Sequence, residues 1–341
     1  MSHSSTELWK DHVEVFNQVA KHVVHSYSNL SQATVDLLNY SENATYLVTN
    51  ASNAEKFILR VCRPGYHTKT EIEGEVHWIS SIYKDTSVEV SLPVAGKNGE
   101  YIQTVQLEND PKEYCCVLFT YLEGVTPDAN NERELVKQFE LIGEISAHFH
   151  QHAIDNWDTF NEIKRPTWDY ETILGEQPIW GRWQDGVAIT PERIELFQKV
   201  ADTIKPRLER FGKDPHHFGL IHADLRNTNL LVKDEQVKVI DFDDSGFGWY
   251  LFDLASSLTF IEHKPYVPDL VQAWIKGYRK VRKLIKEEEQ EIPTFIMMRR
   301  LQLIAWIGSR ENETTRELGG EYTVQTDFLA RQYLEYSKRF S

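Results

Sequence analysis

The feature that most restricts the fold is a change of hydrophobic period close to residue 124. Before it, TYLVTN, KFILRVC, YIQTVQL and YCCVLFTYL are short and rich in β-branched and aromatic residues, with turn signals such as SNA and KNGE between them. One helical stretch interrupts these strands. From Thr70 to Tyr83, apolar Ile72, Val76, Ile79 and Ile82 recur at three- and four-residue steps. After LEGVTPDANN, helical periodicity runs through ELVKQFELIGEISAHFHQHA, RIELFQKVADTIKPRLERF, LVQAWIKGYRKVRKLI and TFIMMRRLQLIAWI, and only the VKVIDF region reads as strand. With 341 residues, about twice a common single-domain length, the chain is expected to be α+β and bilobal, a mostly β lobe preceding a mostly α lobe.

Charge and composition narrow the partners. A net charge of −15 argues against a nucleic-acid contact, which calls for a basic face, and disfavours anionic membranes. Of the three cysteines, Cys115 and Cys116 adjoin in an apolar run and Cys62 has no C-x-x-C partner, as suits reduced thiols. The start, MSHSSTELWK, lacks a signal-peptide core, and no run approaches the roughly 18 apolar residues of a membrane span. A cytoplasmic protein is expected, with small molecules as partners and no indication of oligomeric state.

The chemistry is concentrated in LIHADLRNTNLLV, where His222, Asp224 and Asn229 are spaced H-x-D-x-x-x-x-N, and in VKVIDFDDSGFGWYLFDLASSL, where Asp241 ends a β-branched run. An ionised carboxylate between apolar runs needs a partner or a purpose, because burying it alone is costly. Phosphoryl transfer supplies one. It needs a carboxylate to orient the attacking hydroxyl and take its proton, together with oxygen ligands for Mg²⁺ bridging the phosphates. Asp224 suits the first task. Asn229 and Asp241 suit the second, since magnesium keeps waters and phosphate oxygens and requires few protein ligands.

These motifs, with the upstream ILRVCRPGY, resemble the aminoglycoside phosphotransferase and choline kinase superfamily, whose fold is similar to that of protein kinases. The resemblance runs from SENATYLV to the TFIMMRRLQLIAW helix and is nearest the branch of homoserine kinase type II, hydroxylysine kinase and bacterial stress-response kinases. It implies a nucleotide-binding N-lobe over 1–118, a hinge at 119–124 and a helical C-lobe over 125–341. It also implies ATP as co-substrate, Asp224 as catalytic base, and Asn229 and Asp241 as metal ligands. Ser41, Asn43 and Thr45 fall where the family's phosphate-covering hairpin lies, although that hairpin contains no glycine here. Arg60 stands where related kinases place a strand lysine, its partner being one of Glu71 and Glu75, which share a helix face. Position in the resemblance favours Glu75. Backbone groups of Phe119, Thr120 and Leu122 would meet adenine at the hinge.

For the acceptor, Asp243, Asp244, Trp168 and Tyr170 are the candidates, carboxylates and aromatic faces that could receive an ammonium. Together with the branch resemblance they point to a hydroxyl on an amino alcohol or hydroxy amino acid. A protein Ser/Thr kinase is the alternative, opposed by the absence of an A-P-E activation segment after Asp241. A pseudokinase module is opposed by the presence of Asp224, Asn229 and Asp241. His148, His150 and His152 share one helix without an evident further ligand and are read as structural, as is His222, a brace of the catalytic loop. Trp306 is read as core.

Overall fold

The structure, a computed structural model, describes residues 5–128, 131–234, 236–310 and 312–339. Cα packing divides these into two units, residues up to Gly124 with Ile163–Arg165, and Val125–Glu162 with Pro166 onward.

The first unit is built on an antiparallel sheet. Strands Thr34–Tyr40, Ala44–Thr49, Lys56–Val61, Glu113–Thr120 and Pro93–Val94 lie side by side in that order, and Ile102–Gln106 also pairs with Glu113–Thr120. Alternation sorts the side chains. Ala44, Tyr46, Val48, Leu59, Val61, Cys116 and Leu118 pack on one face against Phe16, Val19, Ala20 and Val23 of the helix Ser5–Val23. Each fully buried aliphatic side chain of this kind contributes about 1.5–3 kcal/mol. Register sends Thr45 and Arg60, directly opposed across neighbouring strands, to the other face. Helix Lys69–Asp85 starts at a capping box in which Thr68 Oγ1 accepts from the Glu71 amide and the Glu71 carboxylate accepts from the Thr68 amide.

The second unit is mainly helical. Helices Glu132–Asp155 and Val267–Tyr278 approach backbone to backbone at paired glycines: a Cβ on Gly143 would lie 2.0 Å from the Trp274 oxygen, and one on Gly277 1.8 Å from the Glu140 oxygen. Helices Pro191–Phe211, Tyr250–Ser257 and Ile292–Ser309, and the helix Glu313–Ser337 broken at Gly319, complete the long elements.

This unit holds more strand than the sequence pattern suggested. Gly246–Trp249 lies between Thr167–Trp168 and Phe218–Ile221, and Leu230–Lys233 pairs antiparallel with Gln236–Val239. The missed strands have two to four residues. Phe218–Ile221 is buried on both faces and therefore lacks the alternation that marks a half-exposed strand. No helix among the described residues is long and apolar enough to cross a membrane.

Candidate active site

The loop that follows strand Phe218–Ile221 is held from below by Asp253. This carboxylate lies on helix Tyr250–Ser257 and is fully buried. Its Oδ2 accepts from the His222 amide (3.1 Å) and from His150 Nε2 (3.0 Å), and its Oδ1 accepts from the Ala223 amide (2.7 Å). Ala223 sits in the left-handed region at φ 63°, a conformation that persists only where surroundings impose it. Asp253 imposes it here, and the twist it fixes delivers the next residue, Asp224.

Because a carboxylate only accepts, His150 Nε2 carries the proton, which leaves Nδ1 to accept from the Tyr278 hydroxyl at 3.0 Å. His222 Nδ1 lies 3.4 Å from the Asp224 amide and Nε2 3.3 Å from the Ile240 carbonyl, so this ring ties the loop to the segment before Asp241. Burial pushes both histidines below their ordinary pKa, and nearby Asp253 counteracts this in part. His152 is also buried and packs on Phe160.

Asp224 is surrounded by donors. Oδ2 accepts from Arg226 Nε (3.1 Å) and Asn229 Nδ2 (3.0 Å), and Oδ1 from Arg299 Nη2 (3.2 Å). The charges of Asp224 first, then of Asp241 and Asp244, hold Arg226 more firmly protonated than usual. Asn229 spends its amide hydrogens on the Asp224 carbonyl (2.9 Å) and carboxylate, while its Oδ1 makes no hydrogen bond to a described residue.

Asp241 emerges beside that amide. Leu230 pairs with Val239, and the Ile240 amide donates to the Asn229 carbonyl at 3.0 Å, so Asn229 and Asp241 flank the same end of the hairpin. Asp241 has φ 65°, a turn that aspartate tolerates. An amide oxygen and an exposed carboxylate are hard donors that fit Mg²⁺ with phosphate oxygens and water completing the shell. No group of three or more His, Cys, Asp or Glu among the described residues makes a self-sufficient metal cage.

On the first unit, Arg60 and Glu75 form a two-pronged buried pair, Nη1 to Oε1 at 2.8 Å and Nη2 to Oε2 at 2.7 Å. Glu71 serves instead as the capping residue, and Arg165 Nη1 also approaches Glu75 Oε2 at 3.9 Å. Arg60 lies over the Phe119 ring, 5.4 Å from its centroid. Arg63 is largely exposed and pairs with Glu42.

In the hairpin, the Ser41 amide donates to the Asn43 carbonyl, and Asn43 Oδ1 accepts from the Arg63 amide. At the end of strand Glu113–Thr120, the Thr120 amide donates to Leu92 and its carbonyl accepts from Ser91 Oγ. The Thr120 amide is therefore spent within the fold, while its carbonyl, with two lone pairs and one donor, keeps a position for a further hydrogen bond. Phe119 lies in the ladder between Ile58 and Pro93, whereas Leu122, past the strand end, makes no backbone hydrogen bond to a described residue.

The aromatic half of the expected acceptor site is not assembled. Trp168 is 1% exposed, stacks edge-on against Trp180 and donates Nε1 to the Asp244 carbonyl at 2.7 Å. It anchors that segment and has no open face for an ammonium. Tyr170 already carries Lys205 over its ring at 5.1 Å and lines a cavity of about 300 Å³ with Asp169, Glu171 and Lys213. Asp243 is buried and Asp244 half-buried, just after Asp241 in the chain. Trp306 is half-buried against Phe260.

Sequence reasoning missed Asp253 and Arg299. Each had a local signal, a carboxylate within YLFDLASS and a guanidinium within TFIMMRRLQLIAWI, where a charge in an apolar helix must find a partner.

The profile of the phosphotransferase enzyme family matches residues 37–284. Amicoumacin kinase of Bacillus subtilis (strain 168) is 22% identical over 306 residues, covering 86% of each chain. The structure of a microcompartment-associated aminopropanol kinase superposes with a TM-score of 0.85 at 35% identity, over 94% of this chain and 98% of that one. An amicoumacin kinase in complex with AMP-PNP, Ca²⁺ and Ami gives a TM-score of 0.74 at 19% identity, over 96% of both chains.

Proposed function

The chain belongs to the phosphotransferase enzyme family and is an ATP-dependent small-molecule kinase, and from that premise we propose that it phosphorylates the hydroxyl of a small amino alcohol, using Mg²⁺-ATP in the cytoplasm. The observation that carries the reading is the Asn229 amide, whose hydrogens hold the Asp224 carboxylate while its oxygen stays available to a cation. Base and metal ligand are thereby set by one side chain. The 35% identity to an aminopropanol kinase, with the carboxylates of Asp241, Asp243 and Asp244 close along the chain, supports an acceptor bearing an ammonium.

Asp224 takes the proton as the acceptor oxygen forms its bond to the γ-phosphorus; the bond from that phosphorus to the β-bridging oxygen breaks, and ADP leaves. Mg²⁺, held by Asn229 and Asp241, would neutralise charge on the phosphates. Arg226, fixed against Asp224, offers further positive charge there, while Arg60, oriented by Glu75, serves the nucleotide phosphates together with Ser41, Asn43 and Thr45. Leu122, with Phe119 beside it, is the backbone candidate for adenine. Asp243 and Asp244 are the candidates for the acceptor's ammonium. The free thiols of Cys62, Cys115 and Cys116, with Cys116 pushed well above its ordinary pKa by burial, suit a reducing compartment.

A protein-kinase reading finds no room for an activation segment, since strand Gly246–Trp249 and helix Tyr250–Ser257 follow Asp241 almost at once. The test is ADP release across amino alcohols, hydroxy amino acids and sugars, with ³¹P NMR of the product. Phosphorylation of an amino alcohol and its loss on N-acetylation are expected. Preferential turnover of neutral sugars would refute the acceptor class.

A further inference from the structure

Helix Pro191–Phe211 and the end of helix Glu313–Ser337 border a second cleft, of about 690 Å³, with a charge opposite to that of the chain as a whole. Lys199, Arg207, Arg210, Arg331 and Lys338 line it, and Glu335 is the acidic group among the lining side chains. Glu335 is engaged by Lys338 at 2.5 Å. Lys199, Arg210 and Arg331 are exposed and form no ion pair with a described residue. On a protein of net charge −15, such a concentration produces a local positive potential that would attract anions otherwise repelled.

Arg207 makes this more than a patch of surface cations. Its side chain is 5% exposed, with Nε and Nη2 gripping Glu291 at 3.0 and 2.9 Å and Nε also reaching Thr294 Oγ1 at 3.2 Å. Nη1 makes no hydrogen bond to a described residue. The guanidinium is thus clamped along one edge in a cleft whose rim supplies three further unpaired cations. A clamped guanidinium beside exposed lysine and arginine side chains is a suitable receptor for tetrahedral oxyanions.

We propose that this cleft is a second ligand site, separate from the residues of the phosphoryl transfer, and that it takes a small molecule bearing two or more phosphate groups. The cleft volume is within the range of small-molecule sites. Two phosphates are required because a single one would leave most of the rim charge unmatched.

The test is calorimetric titration of inorganic pyrophosphate into the full chain in chelator-treated buffer, so that metal-dependent binding does not contribute. Wild type is expected to bind, the R210E/R331E double variant to bind about tenfold or more weakly, and both to keep the same kcat with amino alcohol and Mg²⁺-ATP. Arg207→Lys retains the charge but loses the fork, and is expected to weaken pyrophosphate while leaving a folded protein. Equal affinity in wild type and double variant, or no uptake by wild type at millimolar pyrophosphate, overturns the proposal. Binding of an acidic peptide that pyrophosphate cannot displace also overturns it, in favour of a protein partner.

Discussion

Arg299 Nη2 stands 3.2 Å from Asp224 Oδ1, joining helix Ile292–Ser309 to the loop after strand Phe218–Ile221 across 75 residues of sequence. Arg299 is itself held on several sides, with Nε on Thr259 Oγ1, Nη1 on Gln302 Oε1 and the guanidinium over the Trp180 ring. Asp224 Oδ2 already receives two donors, and Oδ1 receives only this one. With two lone pairs on each oxygen, the free position for an incoming hydroxyl proton is therefore on Oδ1, next to Arg299.

Arg299→Gln is accordingly expected to lower kcat by about 10- to 100-fold, roughly 1.4–2.7 kcal/mol in the barrier, with little change in the KM for ATP. Arg299→Lys should recover part of the loss, because a charge remains near Oδ1. Steady-state kinetics of both variants decides the matter. Equal activity of Arg299→Gln and wild type would remove Arg299 from the positioning of the base.

The Arg60–Glu75 pair gives a stability prediction. Glu75 is wholly buried, bonded twice by Arg60 and approached by Arg165. Glu75→Gln leaves two guanidiniums without their counter-ion and is expected to cost about 3–5 kcal/mol, as breaking one side of a buried pair does. Chemical denaturation measures this directly, and a loss below about 1 kcal/mol would show that water reaches the pair.

How much of this was visible in the sequence depended on whether a residue's partner is local. Asp224, Asn229 and Asp241 are fixed by a hairpin of some twenty residues, so their order along the chain already carries their geometry. The four-residue spacing of Glu71 and Glu75 put both on one helix face, but only the fold separates the cap from the ion pair. Asp253 and Arg299 act on residues about 30 and 75 positions away, respectively, and no window of local pattern contains such a contact. Trp168 was legible as an aromatic near acidic residues. Its burial depends on Trp180 and the Asp244 carbonyl, which tertiary packing brings to it.

Asp253 offers a sharper test of loop bracing. It accepts three hydrogen bonds, from His150, His222 and Ala223, which asparagine cannot accept with a single oxygen. Asp253→Asn turns an NH₂ toward buried donors, at a cost of about 1–3 kcal/mol for each group left unsatisfied. Loss of turnover should exceed loss of nucleotide affinity, because Ala223 would relax from its left-handed backbone and move Asp224. A variant with lowered thermal stability but normal kcat would limit Asp253 to a structural role.

The same histidines predict a pH dependence. His150 and His222 are held below their ordinary value of 6.5 by burial, so their neutral forms fit the fold. Unfolded histidine binds a proton that the buried ring refuses. Their stabilisation is complete above about pH 6.5 and is lost as pH falls toward the depressed folded values. Urea unfolding between about pH 7.5 and 5.5 should show stability falling with acid, with uptake of up to about two protons attributable to these rings. A flat profile over that window would contradict it.

The last prediction separates the proposed base from the proposed metal ligand, two carboxylates whose charges both act on the Arg226 guanidinium. Asp224→Asn keeps the side chain's size and, with its oxygen toward Arg226 and Asn229, turns its NH₂ toward Arg299, so Mg²⁺-ATP should bind with nearly wild-type affinity while kcat falls by about 10²- to 10⁴-fold, the usual contribution of general-base positioning. Asp241→Ala removes the charged metal ligand and leaves only the Asn229 oxygen, so Mg²⁺-ATP affinity and turnover should fall together. Calorimetry with and without Mg²⁺ distinguishes the two variants. In Asp241→Ala the gain in ATP affinity that Mg²⁺ gives the wild type should largely disappear, whereas in Asp224→Asn it should persist. If Asp241→Ala retained that gain, the metal would have to be held by other oxygens, with Asp244 of the same segment a candidate. If Asp224→Asn retained its turnover, the proton would have to leave by another route, and the central assignment of the site would fail.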